Sequence, residues 1–181
     1  MALSNFEIID DFLPAELFIQ LREHCDKVDY SGVVNPADEV LYPGISTDIP
    51  QNILQFFGRP KFIFMRLSLK GVPVPHQAHS DTLMGNESLM FYLTRHEHCK
   101  GGTSLVRHKE SGLWRNPTTS KGEEIWKRDT NVSEAWEIYD MAQMQPNRAV
   151  LFDANLMHRA EPIGGFGDSP FNGRLVLTAF Y

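Results

Sequence analysis

The chain has 181 residues, 42% of them hydrophobic and 22% charged, with 17 Lys and Arg set against 23 Asp and Glu for a formal charge of −6. That length can bury a core without disulfides or a structural metal, and the acidic balance argues against a duplex-DNA binder, which needs cations facing phosphate. Cys25 and Cys99 stand in no C-x-x-C frame, the start "MALSNFEIIDDFLP" has no basic-then-apolar leader, and no apolar run reaches spanning length, so the expectation is a cytoplasmic protein with reduced thiols and no membrane partner.

"NFEIIDDFLP" predicts a short strand with Phe6 and Ile8 on one face, after which Pro14 suits the first turn of a helix carrying Leu17, Phe18, Leu21, Cys25 and Val28 at helical spacing. Residues 29–50, with Gly32, Pro36, Pro43, Gly44 and Pro50, read as irregular loop, followed by a short helix "PQNILQFF" stopped at Gly58. Five segments rich in β-branched and aromatic residues come next: "KFIFMRLSL", "ESLMFYL", "GGTSLVRH", "NRAVLFDA" and "GRLVLTAFY". They predict a mainly β core over 60–181, with 1–59 as helical support, in one domain. The polar stretch 113–146 reads as a loop-helix insert, with the helix on "SEAWEIYDMAQM" and Ser133 as its cap.

Charge is unevenly spread. Residues 95–128 hold eight Lys or Arg against four Glu, leaving the remainder of the chain at −10. A solvated polar excursion is the favoured reading, with a basic lip for an acidic substrate as the alternative.

In "VPHQAHSDTLMG" the side chains of His79 and Asp81 would converge if the segment is extended, since i and i+2 share a strand face. Two histidines and one carboxylate make the open face that non-heme Fe(II) uses. H-x-D alone is unspecific among seven histidines; the third ligand is best supplied by His158, directly after "NRAVLFDA". His96, His98, Cys99 and His108 around the turn "RHEHCKGG" form a weaker zinc alternative. His76 is not placed by its two neighbouring prolines, and His24 reads as a partly buried histidine on the first helix.

In "GRLVLTAFY", Arg174, Val176, Thr178 and Phe180 share one strand face. A guanidinium within an apolar strand is expensive unless an anion meets it, and a bound dicarboxylate would do so, with the Thr178 hydroxyl assisting. An ordinary ion pair with a surface Glu is the alternative.

The order H-x-D, distal His, then Arg on the last strand resembles the Fe(II)/2-oxoglutarate dioxygenases of the double-stranded β-helix (jelly-roll, cupin-like) fold, in particular their prolyl 4-hydroxylase-like branch. "FEIIDDFLP", "LMFYLTRHEHCKGGTSLVRH", "NRAVLFDANLMHRAEP" and the R-x-x-x-T of "GRLVLTAFY" carry the likeness, which is weak before residue 60 and over 113–146. The resemblance implies Fe(II) on His79, Asp81 and His158, with 2-oxoglutarate and O2 as cosubstrates. It implies that Arg174 holds the distal carboxylate of 2-oxoglutarate with Thr178 and Tyr92 beside it, and that a small molecule or protein side chain is hydroxylated with release of succinate and CO2. Two departures stand out: Leu69 occupies the place of a Tyr about ten residues before H-x-D, and "GGFGDSPFNG" lengthens the gap between His158 and Arg174. Phe91, Phe152 and Phe180 are candidate pocket walls, and Trp114, Trp126 and Trp136 could line the entrance or pack the insert. The rivals are a cupin-like metal or small-molecule binding protein without turnover, and a metal-dependent isomerase or hydrolase.

Overall fold

A computed structural model describes residues 5–34, 39 and 41–181; Pro36 and residues 1–4 of the opening segment lie outside that set. The first strand, β1 (Glu7–Ile9), runs antiparallel to β9 (Ala149–Asp153) at one edge of the larger sheet. Phe6 is buried but Ile8 is 44% exposed, so the expected shared face does not form. Ile9 turns inward instead, because β1 is an edge strand whose other face meets solvent.

Pro14 caps α1 (Ala15–Cys25), its fixed φ suiting a helix entrance. Leu21 and Cys25 are fully buried, with Leu17, Phe18 and Val28 packed in the same cluster. Residues 29–50 are less irregular than expected. They hold β2 (Val33–Val34) and β3 (Leu41–Tyr42), paired with each other, and β4 (Ile45–Ser46), which pairs with β5 (Phe62–Ser68). Two-residue strands are too short to show a period. The helix α2 (Gln51–Leu54) continues as a tight turn through Phe57 and stops at Gly58, whose φ of 66° favours glycine.

The remaining elements are β6 (Glu87–Tyr92), β7 (Gly102–His108), α3 (Ser120–Asp129), β8 (Trp136–Gln143), β10 (His158–Glu161) and β11 (Arg174–Phe180). The larger sheet has the order β1-β9-β6-β11-β5-β4 and the smaller β10-β7-β8, all antiparallel. Along β11, Leu175, Leu177 and Ala179 face α1 and α2, in a cluster with Leu21, Cys25, Ile53 and Phe57. Val176 faces the other way, in a cluster with Tyr92, Val150 and Phe152 of the larger sheet and Leu105 and Ala142 of the smaller. Alternation thus gives the inner strands of the larger sheet one face for the helices and one for the interior.

The insert corrects the sequence reading. Its helix is α3, capped by Thr119, whose hydroxyl oxygen accepts from Gly122 N at 3.1 Å. The expected helix "SEAWEIYDMAQM" is instead a short turn at Ser133–Ala135 followed by β8, paired with β7. Leu105 faces Asp140 while Val106 faces Ile138, so Tyr139 is an extra, bulged residue. That bulge interrupts the alternation that marks a strand.

Burial pushes the Cys25 thiol up to about 11. Held protonated in the core beside Met65 Sδ at 3.5 Å, it should react with iodoacetamide at pH 8 roughly 100-fold more slowly than an ordinary thiol. Timed alkylation with mass spectrometry checks this; a native rate equal to that in denaturant would contradict it.

Candidate metal centre and adjoining cavity

Two backbone hydrogen bonds tie the H-x-D segment to the start of β10: His79 N donates to His158 O at 3.0 Å and His158 N to His79 O at 2.8 Å. Asp81 N donates to Ala154 O at 2.8 Å. The segment is therefore extended, as the i, i+2 argument requires, though it joins the sheet only through an isolated bridge. The insert braces it. Trp126 Nε1 and the Thr130 hydroxyl both donate to Ala78 O at 2.8 Å, and Ala78 N donates to Thr130 O at 3.0 Å. Trp136 is buried beneath, its Nε1 donating to Asp129 O at 2.8 Å, so Trp126 and Trp136 pack the insert against the core. Trp114 is 40% exposed and lines a separate surface hollow with Ser111 and Gly122.

His79, Asp81 and His158 bring one ligand atom each within 4.8 Å of one another, the group of this kind found among the described residues. Asp81 Oδ2 lies 3.2 Å from His158 Nε2, and Asp81 Oδ1 lies 3.6 Å from His79 Nε2. Each ring has its Nδ1 at a backbone carbonyl two residues earlier, His79 on Gln77 O at 3.1 Å and His158 on Leu156 O at 3.0 Å. A carbonyl accepts only, so both Nδ1 atoms carry hydrogen, which leaves Nε2 of each neutral ring as the nitrogen able to ligate a cation, while without one a protonated His158 donates from Nε2 to Asp81. The Ser88 hydroxyl donates to Asp81 Oδ2 at 2.8 Å, fixing the carboxylate from behind. Two oriented imidazoles and one carboxylate fit a divalent non-heme iron.

Burial pushes the His79 imidazole down to about 4, with the neighbouring His158 adding to the effect, so this ring is neutral near pH 7. Burial alone would raise Asp81, but the two imidazoles and Ser88 outweigh it and hold the carboxyl below its ordinary range. Burial likewise disfavours charge on His158, yet the facing Asp81 raises its pKa overall. The Asp81–His158 contact is the one a cation would replace.

Beside the ligand atoms lies a cavity of about 100 Å³. Arg174, Val176, Thr178 and Phe180 of β11 line it, with Phe64, Arg66 and Ser68 of β5 opposite. Arg174 Nη2 donates to Gly102 O at 3.2 Å, while its Nε is buried without a hydrogen-bond partner. No carboxylate pairs with it among the described residues, and burial pulls its pKa down to about 10. A buried guanidinium with an unpartnered Nε is the kind of group that an anion satisfies. The Thr178 hydroxyl lines the cavity and contacts Met90 Sδ at 3.5 Å. Tyr92 is not placed there: its hydroxyl donates to Thr103 Oγ1 at 2.8 Å, and it is Thr103 that reaches the cavity wall.

Of the expected aromatic walls, Phe180 lines the cavity, and Phe152 packs edge-on against the His158 ring at 4.8 Å. Phe91 belongs to the helix-facing side of β6, against Phe12, Phe18 and Phe57, and is corrected to plain core. The long loop before β11 supplies Gly164 and Gly165 to the rim. Gly165 has φ 67°, and a Cβ there would stand 2.5 Å from Ser68 O, so only glycine fits that close approach.

Sequence reasoning missed Arg66. The signal was there, because Phe64, Arg66 and Ser68 alternate onto one face of "KFIFMRLSL" just as Arg174 does on β11. The basic stretch is not a solvated excursion, since it contains the buried central strand β7; its charges are instead met by ion pairs, Arg95 with Asp26, Arg107 with Glu137, Arg115 with Asp153 and Arg128 with Asp129, on carboxylates drawn from outside 95–128. His108 is held by Asp129 at 2.9 Å, away from the weaker zinc alternative, and His24 contacts Asp48 O at 2.9 Å.

No protein-family model matches the chain, and no curated protein matches it in sequence. Solved structures do match. A Pseudomonas putida prolyl-4-hydroxylase superposes with a TM-score of 0.50 at 16% identity, covering 99% of this chain and 88% of that one. The non-heme alpha-ketoglutarate-dependent carbocyclase SnoK, from nogalamycin biosynthesis, gives 0.56 at 15% identity over 97% and 78%. EvdO2 from Micromonospora carbonacea var. aurantiaca, complexed with 2-oxoglutarate, gives 0.51 at 13% identity over 97% and 84%. These likenesses establish the double-stranded β-helix fold, as the two antiparallel sheets indicate.

Proposed function

We propose that the protein is an Fe(II)- and 2-oxoglutarate-dependent dioxygenase that hydroxylates a small molecule or a protein side chain. The observation that carries this reading is the pairing of a His-Asp-His cluster with an anion-seeking Arg174 in one cavity. A fold shared with an alpha-ketoglutarate-dependent enzyme and with a 2-oxoglutarate complex supports it.

His79 and His158, through Nε2, and Asp81, through its carboxylate, would hold the iron. When bound, iron with 2-oxoglutarate and O2 supplies the oxidation that places a hydroxyl on a C–H bond and releases succinate and CO2. The chain's part is geometric and electrostatic. Gln77 O and Leu156 O keep the imidazoles in the ligating tautomer. Ser88 holds Asp81, and the insert fixes Ala78 beside His79. Arg174 receives the distal carboxylate of 2-oxoglutarate and Thr178 supports it, while Phe64, Val176 and Phe180 keep that part of the cavity dry.

A cupin-like binder would have no use for the cation at Arg174, and a metal-dependent isomerase or hydrolase would lack any response to 2-oxoglutarate. Anaerobic titration of 2-oxoglutarate into the Fe(II)-loaded protein is expected to give the weak visible charge-transfer band of a chelated 2-oxo acid. Well-folded, iron-loaded protein that shows no band would favour the cupin-like binder.

A further inference from the structure

Arg66 projects into the same cavity from β5, directly across the strand pair from Val176 of β11. It makes no hydrogen bond or ion pair with any described residue, and burial lowers its pKa. It lines one cavity with both Asp81 and Arg174. Arg66 is half-buried and its guanidinium forms no ion pair; the carboxylate that acts on it, Asp81, is already engaged by His158 and Ser88.

Charge balance says what should meet it. Under the dioxygenase reading, on which this inference rests, a divalent ion, the Asp81 carboxylate, the dianion of 2-oxoglutarate and Arg174 together sum to zero. Arg159 and Glu161 at the rim neutralise each other at 2.6 Å. With both imidazoles neutral as metal ligands, Arg66 is the positive charge left over among these groups. The cosubstrate cannot cancel it, so the cancelling group must come with the substrate.

We infer that Arg66 is a specificity-determining residue that takes an anionic group of the substrate, so that the enzyme acts on a carboxylate whose apolar body lies against the other apolar lining residues, Val74, Pro162 and Ile163. A planar guanidinium suits a carboxylate by paired N–H donation, and the apolar walls favour an aliphatic or aromatic body over a sugar.

The test uses Fe(II)-loaded protein under argon with saturating 2-oxoglutarate. Calorimetry measures binding of straight-chain monocarboxylates, from butanoate to decanoate, against the matching primary amides. At least one carboxylate is expected to bind roughly tenfold or more tightly than its amide. The preference should vanish in Arg66→Gln and largely return in Arg66→Lys, while the 2-oxoglutarate needed for the charge-transfer band stays within about twofold of wild type. Equal binding of acids and amides by wild type overturns the inference and needs no variant. So does a preference that survives Arg66→Gln, or a large rise in the 2-oxoglutarate required by that variant, which would assign Arg66 to the cosubstrate. A wild type that never takes up 2-oxoglutarate is a separate failure, of the dioxygenase reading itself, and removes the charge balance with it.

Discussion

Arg174→Met is expected to move stability and ligand binding in opposite directions. Without ligand, folding must bury this guanidinium with one hydrogen bond, to Gly102 O, and its pKa falls from 12.5 to about 10. Each pKa unit corresponds to roughly 1.4 kcal/mol, so removing the charge should stabilise the ligand-free protein by on the order of 3 kcal/mol, less the hydrogen bond lost. The same change should weaken 2-oxoglutarate binding by roughly 100-fold or more, because a buried carboxylate would lose its charge-assisted partner. Denaturant unfolding without ligand and the anaerobic titration measure the two effects. If the variant is destabilised and still binds 2-oxoglutarate normally, Arg174 is a structural residue and not an anion site.

Asp81→Ala should reduce Fe(II) affinity by at least roughly 100-fold and bring turnover to background. Asp81 supplies the only negative charge among the three proposed ligands and accepts from Ser88, so its loss removes a ligand and the centre that orients the other two. Ser88→Ala, which loosens the carboxylate without removing it, should cost about tenfold in affinity. Equilibrium dialysis with metal analysis reads both, and circular dichroism confirms that the fold survives. Stoichiometric iron retained by Asp81→Ala would dismiss the triad.

The strands were legible because their segments are short, apolar and divided by Gly, Pro or Asn, and the His-Asp-His cluster because i and i+2 share a strand face and His158 closely follows "NRAVLFDA". The insert was misread for a local reason. Ser133 and Glu134 imitate a helix cap and first turn, while the Tyr139 bulge hides the alternation of β8. The true helix, "SKGEEIWKRD", carries an internal glycine and few apolar residues, and so gives little helical signal. Tyr92 shows a different limit. Its strand position was readable, but the commitment of its hydroxyl to Thr103 depends on how two sheets meet, which no local pattern encodes. Arg66 was legible by the argument already applied to Arg174 and was passed over inside an apolar run.

The place of β11 between β5 and β6 also bears on how the chain acquires its shape. Those two strands are separated in the sheet and pair with β11 on either side, yet β11 follows both in the chain by some eighty residues or more. Until it docks, β5 and β6 each offer a row of unpaired backbone groups, the kind of edge that recruits strands from other chains. Contacts this distant in sequence form slowly. The strand that closes the gap also brings Arg174, so completion of the sheet and completion of the cavity wall that carries this guanidinium are one folding event, and a chain stalled before it would lack that wall and be prone to aggregate.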